Sequence, residues 1–356
     1  MKAIKGFNGL RAISVLLVIA SHGMLLDALD VSNPIIRKLM TPNTGVTFFF
    51  VLSGFLITLL LLKERELTGT VNLKNFYFRR LLRIFPLYFL ALSVVPVVEY
   101  FQFAVVNPCV YWYAYTYFYN FGPQQCDLNA YSHFWSLAVE EHFYLLWPFI
   151  FLFFRRGALP IVVAFALVAA FIGLSPWPSL AAAYGSARWT YPAAAPIAFG
   201  CVAAYAVCHP AFSSWAARAW PRYLFLAVGV VALVGNAYGQ PRALFFAGLT
   251  GIVLYVYYSQ DSLLVRALEF RPLAYLGQIS YGLYVWQGVL AGNGSHRDFA
   301  YFPLPLHLGI ALTFVVAPLS YHFFEAPILR LKKRFAGVPI EPSAAKAPMA
   351  LAKETR

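Results

Sequence analysis

Charge is what this sequence has least of. Only 12% of its 356 residues are Asp, Glu, Lys or Arg and just 14 are acidic, while 61% are hydrophobic. A soluble globular chain is about 25% charged and about 45–50% apolar. The shortage excludes a soluble globular enzyme and a disordered protein. Four cysteines are too few for a secreted disulfide scaffold of this length. No cysteine–histidine spacing points to zinc, so no metal is expected. The net charge of +13 comes from 27 Lys and Arg. They lie in short clusters between apolar runs, as membrane orientation signals do, and no nucleic-acid partner is expected. What is abundant is apolar sequence, enough for about ten helical spans of about 20 residues each.

The chain is therefore expected to be all-α, a polytopic integral membrane protein. Ten apolar segments are read, roughly at 9–28, 43–62, 80–105, 133–154, 158–174, 192–208, 223–238, 242–258, 272–292 and 304–330. With the N-terminus inside, 22 of the 27 Lys and Arg fall on the cytoplasmic side and five outside. That asymmetry places both termini in the cytoplasm. The first segment carries Arg11 and His22 and no small-x-small site follows it, so it is read as a retained span rather than a cleaved signal. Residues 1–335 form the expected transmembrane domain. Residues 336–356, rich in Ala, Pro and Lys, are expected to be a disordered cytoplasmic tail.

Ionisable residues inside spans mark a functional interior. Arg11 and His22 are eleven residues apart, about 16 Å along a helix and about 20° beyond three full turns, so they share a face. Ser136, Glu140 and Tyr144 are spaced by four in His133-Phe-Trp-Ser136-Leu-Ala-Val-Glu140-Glu141-His142-Phe-Tyr144 and line one side of the fourth span. Glu140, counted inward from the outer end, reaches a depth similar to that of His22. A carboxylate and an imidazole at one depth suit a base and its orienting partner.

Arg80 and Arg83, one turn apart in Arg79-Arg80-Leu-Leu-Arg83, sit at the cytoplasmic start of a span. Arg forks bind phosphate oxygens. Glu325, near the cytoplasmic end of the last span, needs a cation, and Arg11, Arg80 and Arg83 are the candidates. Such a vestibule fits a polyanionic cosubstrate. Two small-residue stretches, around Gly45, Ser53 and Gly54 and around Gly277, Ser280 and Gly282, read as helix-packing sites. The loop 106–132 has no Lys or Arg and is rich in Tyr and Trp, either as interfacial anchors or as a stacking surface for a sugar or lipid acceptor. Its Cys109 and Cys126 either form a disulfide or remain free thiols.

These motifs resemble the membrane-bound acyltransferase family 3. The matching stretches are Phe7-Asn-Gly-Leu-Arg11 with His22, Gly45 to Gly54, Phe78 to Pro86, Phe134 to Tyr144, Gly277-Gln-Ile-Ser-Tyr281 and Glu325-Ala-Pro327. They occur in the family's order over about residues 1–330. Gln287 is a departure, standing where many members have His. The resemblance implies a ten-span protein of the bacterial inner membrane, here without the C-terminal periplasmic domain that some members append. It implies acyl transfer, often of acetyl from cytoplasmic acetyl-CoA or another acyl-CoA, onto a hydroxyl of a carbohydrate or glycolipid acceptor. Read with the residues, Arg11, Arg80 and Arg83 would hold the phosphates of acyl-CoA and His22 would be the base. Glu140 would orient His22, and Tyr144 or Ser136 would donate to the thioester oxyanion. An acyl-histidine intermediate is the alternative route. The rival reading is a transporter or flippase of an amphipathic substrate, with His22 and Glu140 as a proton relay.

Overall fold

Helix boundaries follow the punctuation of the chain. The computed structural model describes residues 4–21, 33–102, 106–153, 188, 190–292 and 301–331. His22, the expected span at 158–174 and the expected tail at 336–356 lie outside the described residues. Among the described residues every regular element is helical and there is no strand. α1 (Phe7–Ser21) follows Gly6, whose φ of 85° turns the chain into it. α2 (Pro42–Thr68) opens on Thr41, whose side chain accepts from the Thr44 N–H, and stops at Gly69 with φ 73°. α3 (Leu73–Leu92) is capped by Asn72 in the same way. α4 (Phe134–Phe153), α5 (Ala195–Cys208), α6 (Ala219–Ala237), α7 (Arg242–Tyr258), α8 (Arg271–Gln278), α9 (Ser280–Ala291) and α10 (Leu306–Ser320) follow.

By length and composition, five stretches among the described residues can cross a membrane: Pro42–Thr68, Leu73–Phe101, Asn129–Phe153, Ala219–Ala237 and Leu306–Arg330. α5 and the helix Pro210–Ala216 meet at 91° and make a sixth if taken as one broken span, while α1 and α7 are shorter. The chain is a multi-pass membrane protein. Segment 242–258 coincides with α7. Others differ for local reasons. The helix expected from residue 80 begins at Leu73, because Asn72 supplies a cap and Arg residues are good helix formers. The segment 272–292 is two helices joined at Ile279. The last span passes through a π-helical turn, Tyr321–Glu325.

Close approach of backbones holds the centre. A Cβ on Gly54 would lie 1.9 Å from the Ile197 carbonyl oxygen, and one on Gly200 would lie 2.1 Å from that of Val51. α2 and α5 therefore cross where only glycine fits. Gly45 meets Ser14 of α1 and Gly277 meets Asn8 in the same manner, so both small-residue stretches pack as expected. Around these crossings lie two apolar cores. One joins α2, α3, α4 and α9 through Ile57, Leu87, Phe134 and Leu283, and the other joins α2, α5 and α7 through Phe55, Ala204 and Val253. Gly54→Leu forces the α2–α5 crossing apart. It is expected to lower the melting temperature of the purified protein by about 1–4 °C, the shift that an overpacking cost of about 1–3 kcal/mol gives in a chain of this size. An unshifted melting curve would show that the crossing does not hold the fold.

The loop 106–132 folds over one end of α3 and α4. Cys109 and Cys126 are joined by a disulfide. Tyr88 of α3 donates to the Ala114 carbonyl at 2.7 Å, and Tyr131 donates to the Leu92 carbonyl. Arg188 pairs with Asp127 at 3.2 Å.

Candidate functional site

α1, α2, α3, α4 and α9 enclose one cavity. Its walls carry Arg11, Ser53, Arg80, Arg83, Ser136, Glu140, Glu141, Tyr144, Ser280, Tyr281 and Tyr284. Six of the expected site residues thus meet in a single space. The reading from sequence had put the Arg cluster at the mouth of one span and Glu140 toward the opposite face. The early start of α3 explains the difference: Arg80 and Arg83 stand about 10 Å and 15 Å inside that helix, not at its entrance. Glu140 is about 9 Å into α4. The basic cluster and the acid–hydroxyl face are one site.

The Arg cluster itself divides. Arg79 is turned away and donates to Glu64 Oε2 at 3.2 Å, while Glu64 Oε1 accepts from the Asn72 N–H at 3.0 Å. Arg79 therefore ties the end of α2 to the start of α3. Arg80 and Arg83, three residues apart, face the cavity together. The Arg80 guanidinium lies 4.9 Å over the Tyr144 ring, a cation–π contact that holds it in place. Among the described residues, no carboxylate oxygen lies within 4 Å of Arg11, Arg80 or Arg83. Three guanidinium groups share a cavity without an ion-pair partner among the described residues.

Glu140 is held from across the helix interface. Ser53 Oγ of α2 donates to Glu140 Oε1 at 2.5 Å, and Tyr144 donates to Ser53 Oγ at 3.1 Å. One turn further, Trp147 Nε1 donates to Thr58 Oγ1 at 2.9 Å and repeats the α4–α2 link. Ser136 borders the cavity too, but its hydroxyl shares a 2.5 Å bond with Tyr284 and donates to the His133 carbonyl at 3.2 Å. Of the two expected oxyanion donors, Tyr144 belongs to the Glu140 chain and Ser136 is tied to α9. Ser53, Glu141, Tyr281 and Tyr284 were not singled out by sequence as cavity residues. Ser53 stood inside a stretch whose small residues signalled packing, and Glu141 stood off the Ser136–Tyr144 face.

Glu325 is buried in the π-helical turn, where it accepts from Ser320 at 3.2 Å. Ser320 in turn takes the Trp286 Nε1–H at 2.9 Å. Of the three candidate cations, Arg83 is the one whose charge reaches Glu325. The partner in direct contact is a hydroxyl, not a guanidinium. Among the described residues no group of three or more His, Cys, Asp and Glu side chains could hold a metal ion.

A family model described as an acyltransferase domain matches residues 4–322. The peptidoglycan O-acetyltransferase OatA of Listeria monocytogenes is 28% identical over 92% of this chain and 56% of its own length. The O-acetyltransferase OatA of Staphylococcus aureus is 26% identical over 94% of this chain and 59% of its own. A putative O-acetyltransferase of S. aureus strain COL is 35% identical over 42% of this chain and 25% of its own. The chain spans less than two thirds of the length of these curated relatives. No solved structure matches it.

Proposed function

Because the chain belongs to the membrane-bound acyltransferase family 3, we propose that it moves an acyl group from acyl-CoA to a hydroxyl of a carbohydrate or glycolipid acceptor. The acyl group is acetyl, as in the names of the relatives, and peptidoglycan, named for the listerial relative, is the first acceptor to offer. The protein would cross the bacterial inner membrane about ten times with both termini cytoplasmic. It would take acetyl-CoA from the cytoplasm and acylate its acceptor at the outer side. The observation that carries this reading is the cavity, where three guanidinium groups with no ion pair among the described residues lie beside a hydrogen-bonded carboxylate.

Arg11, Arg80 and Arg83 offer planar forks that fit phosphate oxygens, and their charge balances a polyanionic cosubstrate. His22, the residue after α1 in sequence, is assigned the base. It takes the proton of the acceptor hydroxyl, the oxygen attacks the thioester carbonyl, the C–S bond breaks, and the proton ends on the CoA thiol. Glu140, fixed by Ser53, orients the base and offsets its developing charge. Tyr144 would turn its hydroxyl from Ser53 to donate to the oxyanion.

Purified full-length protein incubated with radiolabelled acetyl-CoA and cell-wall glycan is expected to release free CoA and label the glycan. A protein that moves substrate across vesicles but consumes no thioester would be a transporter, and the proposal would fall.

A further inference from the structure

The cavity is ordered along its length. α2 and α4 run side by side in one direction, since Phe50 meets Trp135, Ser53 bonds Glu140 and Thr58 bonds Trp147. Levels can therefore be counted in turns of α4. At Tyr144 the Arg80 guanidinium covers the ring, 4.9 Å from its centre. One turn back, Glu140 is held by Ser53. A further turn back, Ser136 Oγ lies 2.5 Å from the Tyr284 hydroxyl, and the Tyr284 ring meets Phe49 edge-on at 6.3 Å. Phe49 is itself one turn back from Ser53 on α2. The first level and the last are eight residues of α4 apart, about 12 Å.

The charged groups keep to the first two levels. α3 runs against α4, with Arg80 at Tyr144 and Tyr88 at Phe134, so Arg83 stands one turn from Arg80 toward Glu140. Glu141 adjoins Glu140. A helical side chain leans toward the N-terminus of its helix. That end of α1 lies where Phe7 stacks on Phe55, so Arg11 leans away from Phe49. The third level differs in kind. Its two hydroxyls, those of Ser136 and Tyr284, are turned onto each other and onto the His133 carbonyl. What faces the space there is Val46, Phe49, Phe50, Leu137 and the ring of Tyr284. The lining ends at Val46, about one turn past Phe49. The next residue, Gly45, is where α1 and α2 touch backbone to backbone. The far end is a short apolar pocket with a fixed end wall.

We infer that this far end holds the acyl group of the cosubstrate, and that Phe49 and Val46 set the chain length it takes. The inference rests on the acyl-transfer reading and gives the acyl end of the donor its place. Phosphates held by Arg80 and Arg83 fix the other end. Twelve bonds join the nearest phosphate oxygen of CoA to its sulfur, as many as in the backbone of four residues, so the extended arm spans about 14 Å. It brings the thioester to the level of Ser136 and Tyr284. From there the chain runs among Phe49, Phe50 and Leu137, where each buried methylene is worth about three- to fourfold in affinity, until it meets Val46. One helical turn, about 5 Å, takes an acetyl group and stops a hexanoyl chain.

Titration calorimetry on the full-length protein in detergent, without acceptor, compares CoA, acetyl-CoA and hexanoyl-CoA. Wild type is set against Phe49→Ala and Leu56→Ala. Leu56 lines the same cavity from the same helix, but beyond Ser53 toward the opposite end. Wild type is expected to bind hexanoyl-CoA at least about tenfold more weakly than acetyl-CoA. Phe49→Ala should bind hexanoyl-CoA at least about tenfold more tightly than wild type does, because the opened wall lets the added methylenes be buried. Its affinity for CoA, which has no acyl group, should stay within about twofold, and that retained binding shows that the variant is folded. Leu56→Ala should keep the wild-type order. Equal binding of acetyl- and hexanoyl-CoA by wild type, an unchanged order in Phe49→Ala, or the same gain in Leu56→Ala overturns the pocket. If Phe49→Ala binds no CoA, Val46→Phe decides: it should weaken acetyl-CoA but not CoA, and unchanged acetyl-CoA affinity overturns the pocket. If the chain-length pattern appears but wild type transfers no acetyl group, the pocket stands and the transfer reading falls. If wild type binds none of the three, both fall.

Discussion

Replacing Arg80 and Arg83 together by Ala is expected to weaken CoA binding by at least about a hundredfold, because each charged hydrogen bond lost is worth about 1.5–3 kcal/mol. The expectation rests on geometry. Both side chains reach the cavity, neither has a carboxylate of the described residues within 4 Å, and Arg80 is held over Tyr144. Wild-type affinity should also fall as salt rises, to the extent that the cavity stays open to solvent. Arg79→Ala is the informative control. Arg79 is spent on Glu64, so its loss should lower thermal stability and leave CoA affinity in place. If Arg79→Ala weakens CoA binding as much as the double replacement, the cluster acts only as diffuse positive charge. If the double variant binds CoA normally, the three guanidinium groups are not the phosphate site.

His22→Ala is expected to lower the rate of acyl transfer by about 10²–10⁴, the range for loss of a general base, while CoA still binds. The assignment comes from the eleven-residue spacing, which in a helix would put His22 on the face of Arg11, and Arg11 lines the cavity. Glu140→Gln should lower the maximum rate as well, but less, since a positioning group loses orientation and charge rather than the proton acceptor itself. Single-turnover rates with saturating acetyl-CoA separate the two. Near wild-type transfer by His22→Ala would remove the base assignment and with it the role given to Glu140.

What sequence could show here is what lies on one element. Ser136, Glu140 and Tyr144 border a common cavity because residues four apart on a helix share a face, and the same rule pairs Arg80 with Arg83. Contacts between elements were not legible. Ser53 is 87 residues from Glu140, and its neighbours Gly45 and Gly54 gave a packing signal that was also correct. Nothing in Arg79-Arg80-Leu-Leu-Arg83 says which guanidinium meets Glu64, because that depends on where Asn72 caps the helix. The place of the Arg pair along its helix differs for a related reason. Reading it at the start of a span assumes that helix and apolar run begin together, and α3 begins before its run. The breaks at Ile279 and at the π-helical turn are likewise invisible to hydropathy, which sees only that the stretch stays apolar.

The glycine crossings bear on what can move. Where α2 meets α5, and where α1 meets α2 and α8, backbone touches backbone, with no side-chain layer between to slide over. Rocking one bundle against another, as alternating-access carriers do, would drive carbonyls into Cα atoms at each crossing. The wall that carries Arg11 and Ser53 is in this sense masonry. On the acyl-transfer reading, the travelling part is then the cosubstrate. Its nucleotide end would be anchored among the guanidinium groups, and a flexible thioester arm would carry the acyl group to a stationary acceptor site, so that the reach of the arm would set how far apart donor and acceptor can be held.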